Sequence, residues 1–208
     1  PRFVFASSCA VFGGPLPERL PDDQALMPQS SYGAQKAVCE LLVHDYARKG
    51  FVDGRSLRLP TVTVRPGKPN KAASSFASGI IREPLAGVEA ACPVDASTRM
   101  WLVSPRTVVD SLIAGYEAPA SALPPSHAVN VPGISVTVGE MVDALRRVAG
   151  DAVAGRVVFR HDETIDRIVR TWPRDFDAKV GRALGMRTDA SFEAIVRQYV
   201  EHDMPKRA

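Results

Sequence analysis

The chain has 208 residues, 45% of them hydrophobic and 24% charged, with a net charge of +3. That is enough chain for one or two domains with a sizeable core, and the composition is that of a soluble globular protein. Its Lys and Arg residues are scattered and no apolar run nears the ~20 residues of a bilayer span, so neither nucleic acid nor a membrane is expected as a partner. Cys9, Cys39 and Cys92 form an odd set without CxxC spacing. They argue against a disulfide framework and a metal site and fit a cytoplasmic protein. The start, Pro1-Arg2 followed by Phe3-Val4-Phe5, reads as a chain entering in the middle of a buried-strand pattern.

Phe3–Ala6 predicts a short strand of the buried, parallel-sheet type, and Ser7–Gly14 a loop. Pro15–Gln29, with its prolines and acids, predicts an irregular surface segment. Ser30 or Ser31 is placed to cap a helix to about Lys49, with Val38, Leu41, Leu42 and Tyr46 as its apolar positions and Gly50 at its end. Arg55–Val64 predicts a second strand, broken by Arg65–Asn70. Then follow a helix over Ser74–Glu83, a strand over Met100–Val103, a helix over Thr107–Tyr116 and a loop over Ala118–His127. A strand over Ala128–Val131, an amphipathic helix over Val138–Val148 capped by Thr137, and a strand over Val157–Phe159 come next. Two last helices are expected over Phe176–Leu184 and Phe192–Glu201, the latter capped near Asp189 or Ser191. Strand–helix alternation early and helices late predict an α/β protein with a smaller C-terminal lobe.

Tyr32 and Lys36 are four apart on the first helix and so share one face. An ammonium beside a phenol favours the phenolate, and a tyrosine so tuned exchanges a proton near neutral pH. That suits removal of a hydroxyl proton while hydride leaves the same carbon. Ser8 follows the first strand, where doubly wound folds bind ligands, and is suited to donating a hydrogen bond to a substrate oxygen. Ser7 reads instead as part of a tight turn.

Ser7-Ser8-Cys9-Ala10-Val11-Phe12-Gly13 resembles the "SSxxVYG" segment of the extended short-chain dehydrogenases/reductases, the NAD-dependent epimerase/dehydratase family. Ser30-Ser31-Tyr32 through Lys36 to Glu40 is similar to their "SxYxxxKxxxE" helix, and Leu57–Val62 to their "LRxxNV" strand with Thr61 in the Asn position. Thr98–Val103 falls where many members carry "RDYIHV", and Ser135–Met141 is similar to the start of a late helix. The resemblance implies the C-terminal portion of a Rossmann-like doubly wound parallel sheet with a smaller α/β substrate-binding lobe. Residues 1–67 would be the catalytic part of that sheet and 68–208 mainly the substrate lobe, with about 100–131 returning to the sheet.

The resemblance further implies Tyr32 as catalytic acid/base and Ser8 as the hydrogen-bond donor to the reacting oxygen. Lys36 would hold the nicotinamide ribose and favour ionisation of Tyr32, and Pro60, Thr61 and Val62 would approach the carboxamide. Arg99 would grip a phosphate or a carboxylate. Cys9-Ala10 stand where dehydratases carry Asp-Glu, which argues against elimination of water. The stretch Arg58–Phe76 resembles the branch that oxidises D-erythronate, a four-carbon sugar acid, with NAD. Ser74 and Ser75, opening a helix, would offer hydroxyls and amides to such an anion. NADP is left open. A sugar-nucleotide epimerase and a non-catalytic relative are the alternatives, and a homodimer through the Tyr32 helix is implied as well.

A dinucleotide fold needs a Gly-rich loop after its first strand. Gly13-Gly14, followed by Pro15-Leu16-Pro17, is not one. The expectation is that the nucleotide-binding start of the domain lies upstream of Pro1 and that this piece alone binds NAD poorly.

Overall fold

The computed structural model describes residues 1–67 and 72–205. The first strand, β1 (Arg2–Ser8), pairs in parallel with β2 (Asp53–Leu59) over its whole length, from Arg2↔Asp53 to Ser8↔Leu59. Beyond β2 lies β6 (Ala128–Asn130), again parallel. Helix α1 (Ser31–Arg48) connects β1 to β2 and packs on both strands. Helix α3 (Pro105–Glu117) lies against the same two strands. Alternation along β2 shows which face each covers. Arg58 reaches Glu40 of α1, whereas Arg55 donates to the carbonyls of Gly115 and Ala118 at the end of α3. A strand buried on both faces is what a parallel sheet between two helix layers requires, and Gly54 through Arg58 are all buried.

The second lobe holds two further sheets. Strand β3 (Thr61–Val62) runs parallel to β5 (Arg99–Val103), which pairs antiparallel with β7 (Ile134–Thr137). Strands β4 (Ala90–Cys92) and β8 (Val157–Phe159) form a parallel pair. Around them lie α2 (Ser75–Leu85), α4 (Val138–Ala149), α5 (Asp151–Ala154), α6 (Glu163–Val169) and α8 (Phe192–Gln198), whereas α7 (Lys179–Ala183) packs against β6 of the first sheet. Ile80, Ile81, Leu102, Met141, Leu145 and Ile195 are among the buried side chains of its core. Of residues 100–131, α3 lies on β1 and β2 and β6 pairs with β2, whereas β5 pairs with β3 and β7.

Several expected elements differ. Ser7 is not in a turn: β1 continues through Ser8, and only Cys9–Val11 turn, as a single 3-10 turn. The expected strand Arg55–Val64 splits at Pro60, whose missing N–H cannot join a ladder. Its two halves, β2 and β3, belong to different sheets. Lys68, Pro69 and Asn70, expected to break that strand, lie outside the described residues. Pro84 lies inside α2 rather than ending it. The helix expected from Phe176 starts at Lys179, because Phe176 pairs with Leu20 as an isolated bridge. Val38, Leu41, Leu42 and Tyr46 of α1 are exposed; the buried positions are Gly33, Ala37 and Glu40. The sequence reading missed β4, β7, α5 and α6.

Candidate active site

Ser8 ends β1 and opens the 3-10 turn, its Oγ accepting from the N–H of Ala10 at 3.2 Å. A hydroxyl held by an N–H in this way presents its hydrogen elsewhere. Helix α1 begins at Ser31 because Ser30 caps it, its Oγ accepting from the N–H of Gly33 at 3.1 Å. Gly33 then decides how near the two segments come. A Cβ at Gly33 would lie 2.0 Å from the carbonyl oxygen of Ala10. Only a glycine lets the first turn of α1, with Tyr32, press onto the turn that follows Ser8.

Tyr32 is 54% exposed, and its hydroxyl makes no hydrogen bond among the described residues. Lys36 lies one helical turn on, with Nζ 5.6 Å from the Tyr32 ring centroid and 4.7 Å from that of Phe5. It donates to the carbonyl of Ala6 at 2.7 Å, which leaves two of its three N–H bonds for other acceptors. The register Ser8↔Leu59 sets Pro60, Thr61 and Val62 just beyond the end of β1. The structure thus gathers Ser8, Tyr32, Lys36 and the 60–62 segment at the C-terminal end of the β1–β2 pair. Doubly wound sheets bind ligands at that end. Burial pushes the thiol of Cys9 in this turn up to about 11.

The remaining expected residues lie elsewhere. Ser74 precedes α2 without a side-chain cap, and the N–H of Ser75 donates to the carbonyl of Ala72 at 2.8 Å. The Ser75 amide is thus engaged within the chain. Arg99, exposed at the start of β5, donates to the carbonyl of Ser135 at 3.2 Å. It lines a cavity of about 870 Å³ together with Arg19, Arg170 and Arg174. None of Ser8, Tyr32, Lys36, Ser74 and Ser75 lines that cavity. Arg19 is paired with Asp175 and Arg170 with Asp166, at 2.7 and 2.6 Å. Arg99 and Arg174 form no ion pair within 4 Å among the described residues, but Glu18, Asp95 and Asp175 line the same cavity and the charge of Arg99 acts on Glu140, so its wall carries both signs. Sequence reasoning missed Arg170 and Arg174, which have no periodicity to mark them.

As to a nicotinamide cofactor, the donor set fits one half. The unused N–H bonds of Lys36 and the open hydroxyl of Tyr32 match the diol of a ribose, while no Gly-rich loop for a pyrophosphate occurs in these 208 residues. Among the described residues no helix is long and apolar enough to cross a membrane, and no cluster of metal-ligating side chains occurs.

The NAD dependent epimerase/dehydratase family matches residues 1–131. The chain is 57% identical over 201 residues to the D-erythronate dehydrogenase of Cupriavidus necator, and 51% identical over 203 residues to that of Haemophilus influenzae. These alignments cover 97% and 98% of the chain, which spans 62% and 64% of the length of those two relatives. Among solved structures, the nucleoside-diphosphate-sugar epimerase of Agrobacterium tumefaciens superposes with a TM-score of 0.93 at 48% identity, over 98% of this chain and 59% of that one. The L-threonine 3-dehydrogenase of Trypanosoma brucei, at 24% identity and a TM-score of 0.85 over 99% of this chain and 65% of its own, shares the fold. The folded elements are those of a Rossmann-type sheet with a second α/β lobe, and the chain belongs to the NAD dependent epimerase/dehydratase family.

Proposed function

We propose that the protein containing this chain oxidises a secondary hydroxyl of a small sugar acid of the D-erythronate kind, with NAD as the hydride acceptor. The observation that carries the reading is the convergence of the Ser8 turn and the Tyr32–Lys36 turn at the Gly33–Ala10 contact. Ser8 Oγ holds the substrate oxygen, and Tyr32 Oη takes the hydroxyl proton. The carbon gives up hydride, its C–O bond becomes a carbonyl, and the proton passes to solvent. Lys36 would hold the ribose diol of bound NAD, which would supply the two-electron acceptor, and Pro60, Thr61 and Val62 would stand at its carboxamide. Arg99 is the proposed partner of the substrate carboxylate. Dehydrogenation of D-erythronate is also what the names of the two curated relatives describe.

One observation favours a second reading, an epimerase acting on a sugar nucleotide. A cavity of about 870 Å³ lined by Arg19, Arg99, Arg170 and Arg174 exceeds what a four-carbon acid fills.

The deciding experiment uses the protein at its full natural length, with NAD and either D-erythronate or a UDP-sugar. The dehydrogenase reading expects NADH to accumulate with D-erythronate, and Tyr32→Phe to lower the rate by about a hundredfold or more. Interconversion of the UDP-sugar without net NADH, and silence with the acid, would replace it with the epimerase.

A further inference from the structure

We propose that the buried Ser7–Glu40–Arg58 cluster is a positioning device for the reaction, one that locks the strand ending in Ser8 to the helix carrying Tyr32 and Lys36. Ser7 Oγ donates to Glu40 Oε1 at 2.5 Å. Arg58 grips the same carboxylate, with Nε at 3.1 and 3.0 Å from its two oxygens and Nη2 at 2.7 Å from Oε2. All three side chains are buried, Ser7 at 2%, Glu40 at 4% and Arg58 at 7% exposure. One carboxylate on α1 is therefore held from both strands beneath it.

The sequence places each member beside a candidate site segment. Ser7 immediately precedes Ser8, and Arg58 stands two residues before Pro60. Glu40 lies four residues after Lys36 and eight after Tyr32 on the same helix, about 6 and 12 Å along the axis. The rest of the buried face of α1 is made of Gly33 and Ala37. Such small residues allow close approach but give little to stop an 18-residue helix from sliding or rolling on the sheet. Apolar burial is non-directional, whereas a two-pronged Arg–carboxylate pair has a fixed geometry. A buried ion pair adds little stability over an apolar replacement of the same size. Its contribution is register, and in this place register means the separation of Ser8 from Tyr32.

This role rests on the reading of Ser8 and Tyr32 as the reacting pair, and the test separates the two. Ser7→Ala, Glu40→Gln, Tyr32→Phe and the double variant Ser7→Ala/Tyr32→Phe are made in the full-length protein. They are assayed with whichever of D-erythronate and the UDP-sugar turns over. Ser7→Ala removes one hydrogen bond and should keep the parent's melting temperature; its kcat should fall about tenfold with KM within about twofold, the mark of lost alignment rather than lost binding. Glu40→Gln removes the negative charge opposite a buried guanidinium and should cost more of both kcat and stability. The double variant should be no slower than Tyr32→Phe alone, because a residue that acts through Tyr32 has nothing left to position. An unchanged kcat in Ser7→Ala, or losses that multiply in the double variant, overturns the positioning role alone. Full activity in Tyr32→Phe, or no turnover of either substrate, overturns the reaction reading and this role with it.

Discussion

The residues that follow Ser8 show how burial sets reactivity. Cys9 lies in the turn that also holds the candidate oxygen-binding hydroxyl, and burial raises its thiol to about 11, partly offset by its contact with Ser8. Since the thiolate is the nucleophile, such a cysteine is inert at neutral pH. Alkylation of Cys9 by iodoacetamide, followed by peptide mass spectrometry, should accelerate about tenfold per pH unit from neutrality up to about pH 10 without levelling. A plateau near pH 8.5 would mean that the turn opens in solution. The same residue scale shows where sequence reading works best. Ser8, Tyr32 and Lys36 stand out in the sequence because the proposed chemistry would fix their types and spacing. Ser7 does not, since nothing in a Ser-Ser pair tells which hydroxyl faces a buried carboxylate. Its partner did carry a signal. Arg58, a charge inside an apolar strand, predicts a buried acid, and Glu40 stands at helical spacing from Lys36.

Among the elements, α4 shows how local chemistry fixes a boundary. Thr137 Oγ1 accepts from the N–H of Glu140 at 3.1 Å, and the carboxylate of Glu140 accepts from the N–H of Thr137 at 2.6 Å, a closed capping box. That backbone N–H, helped by the charge of Arg99, holds Glu140 below the usual carboxylate range. A carboxyl whose folded value is depressed adds stability above its unfolded value, and loses it as pH falls through the folded one. Glu140→Ala, which removes that carboxylate, should therefore destabilise the protein by about 0.5 kcal/mol at neutral pH, with the deficit shrinking below pH 4. A deficit unchanged by acid in urea titrations would mean that the Glu140 bond contributes nothing. Strong caps and periodicity made α4 legible, and Ser30 did the same for α1. The exposed Val38, Leu41, Leu42 and Tyr46 show where periodicity misleads. Side-chain bulk was read as core, while the real inward face is built of Gly33, Ala37 and a paired Glu40, which no hydrophobic count detects. Strands as short as β4 and helices as short as α5 give too few residues for any period to show.

Across the whole molecule, the two lobes meet at a cluster of aromatic rings. Phe176 packs at a tilt against Trp101 of β5 and against Phe12, with ring centroids 5.4 and 5.6 Å apart. Phe12 in turn carries the guanidinium of Arg58 5.0 Å from its ring centroid and closes the turn after Ser8. The backbone of Leu20 is stitched to the same place by bonds to Asp175 and Asp177, both at 2.9 Å. A late segment of the chain thus props an early one, a long-range pairing that no local pattern predicts. This geometry separates two core substitutions of similar cost. Phe176→Ala and Leu145→Ala each remove a buried side chain, at about 3–5 and 2–5 kcal/mol respectively, so both should melt earlier. Leu145 lies in α4, within the core of the second lobe, and its loss should leave kcat within about twofold when assayed well below the melting temperature. Phe176→Ala withdraws the support under Phe12 and so loosens the Ser8 turn; its kcat should fall about tenfold under the same conditions. Equal retention of kcat in the two variants would show that the aromatic cluster only joins the lobes and does not set the geometry of the Ser8 turn.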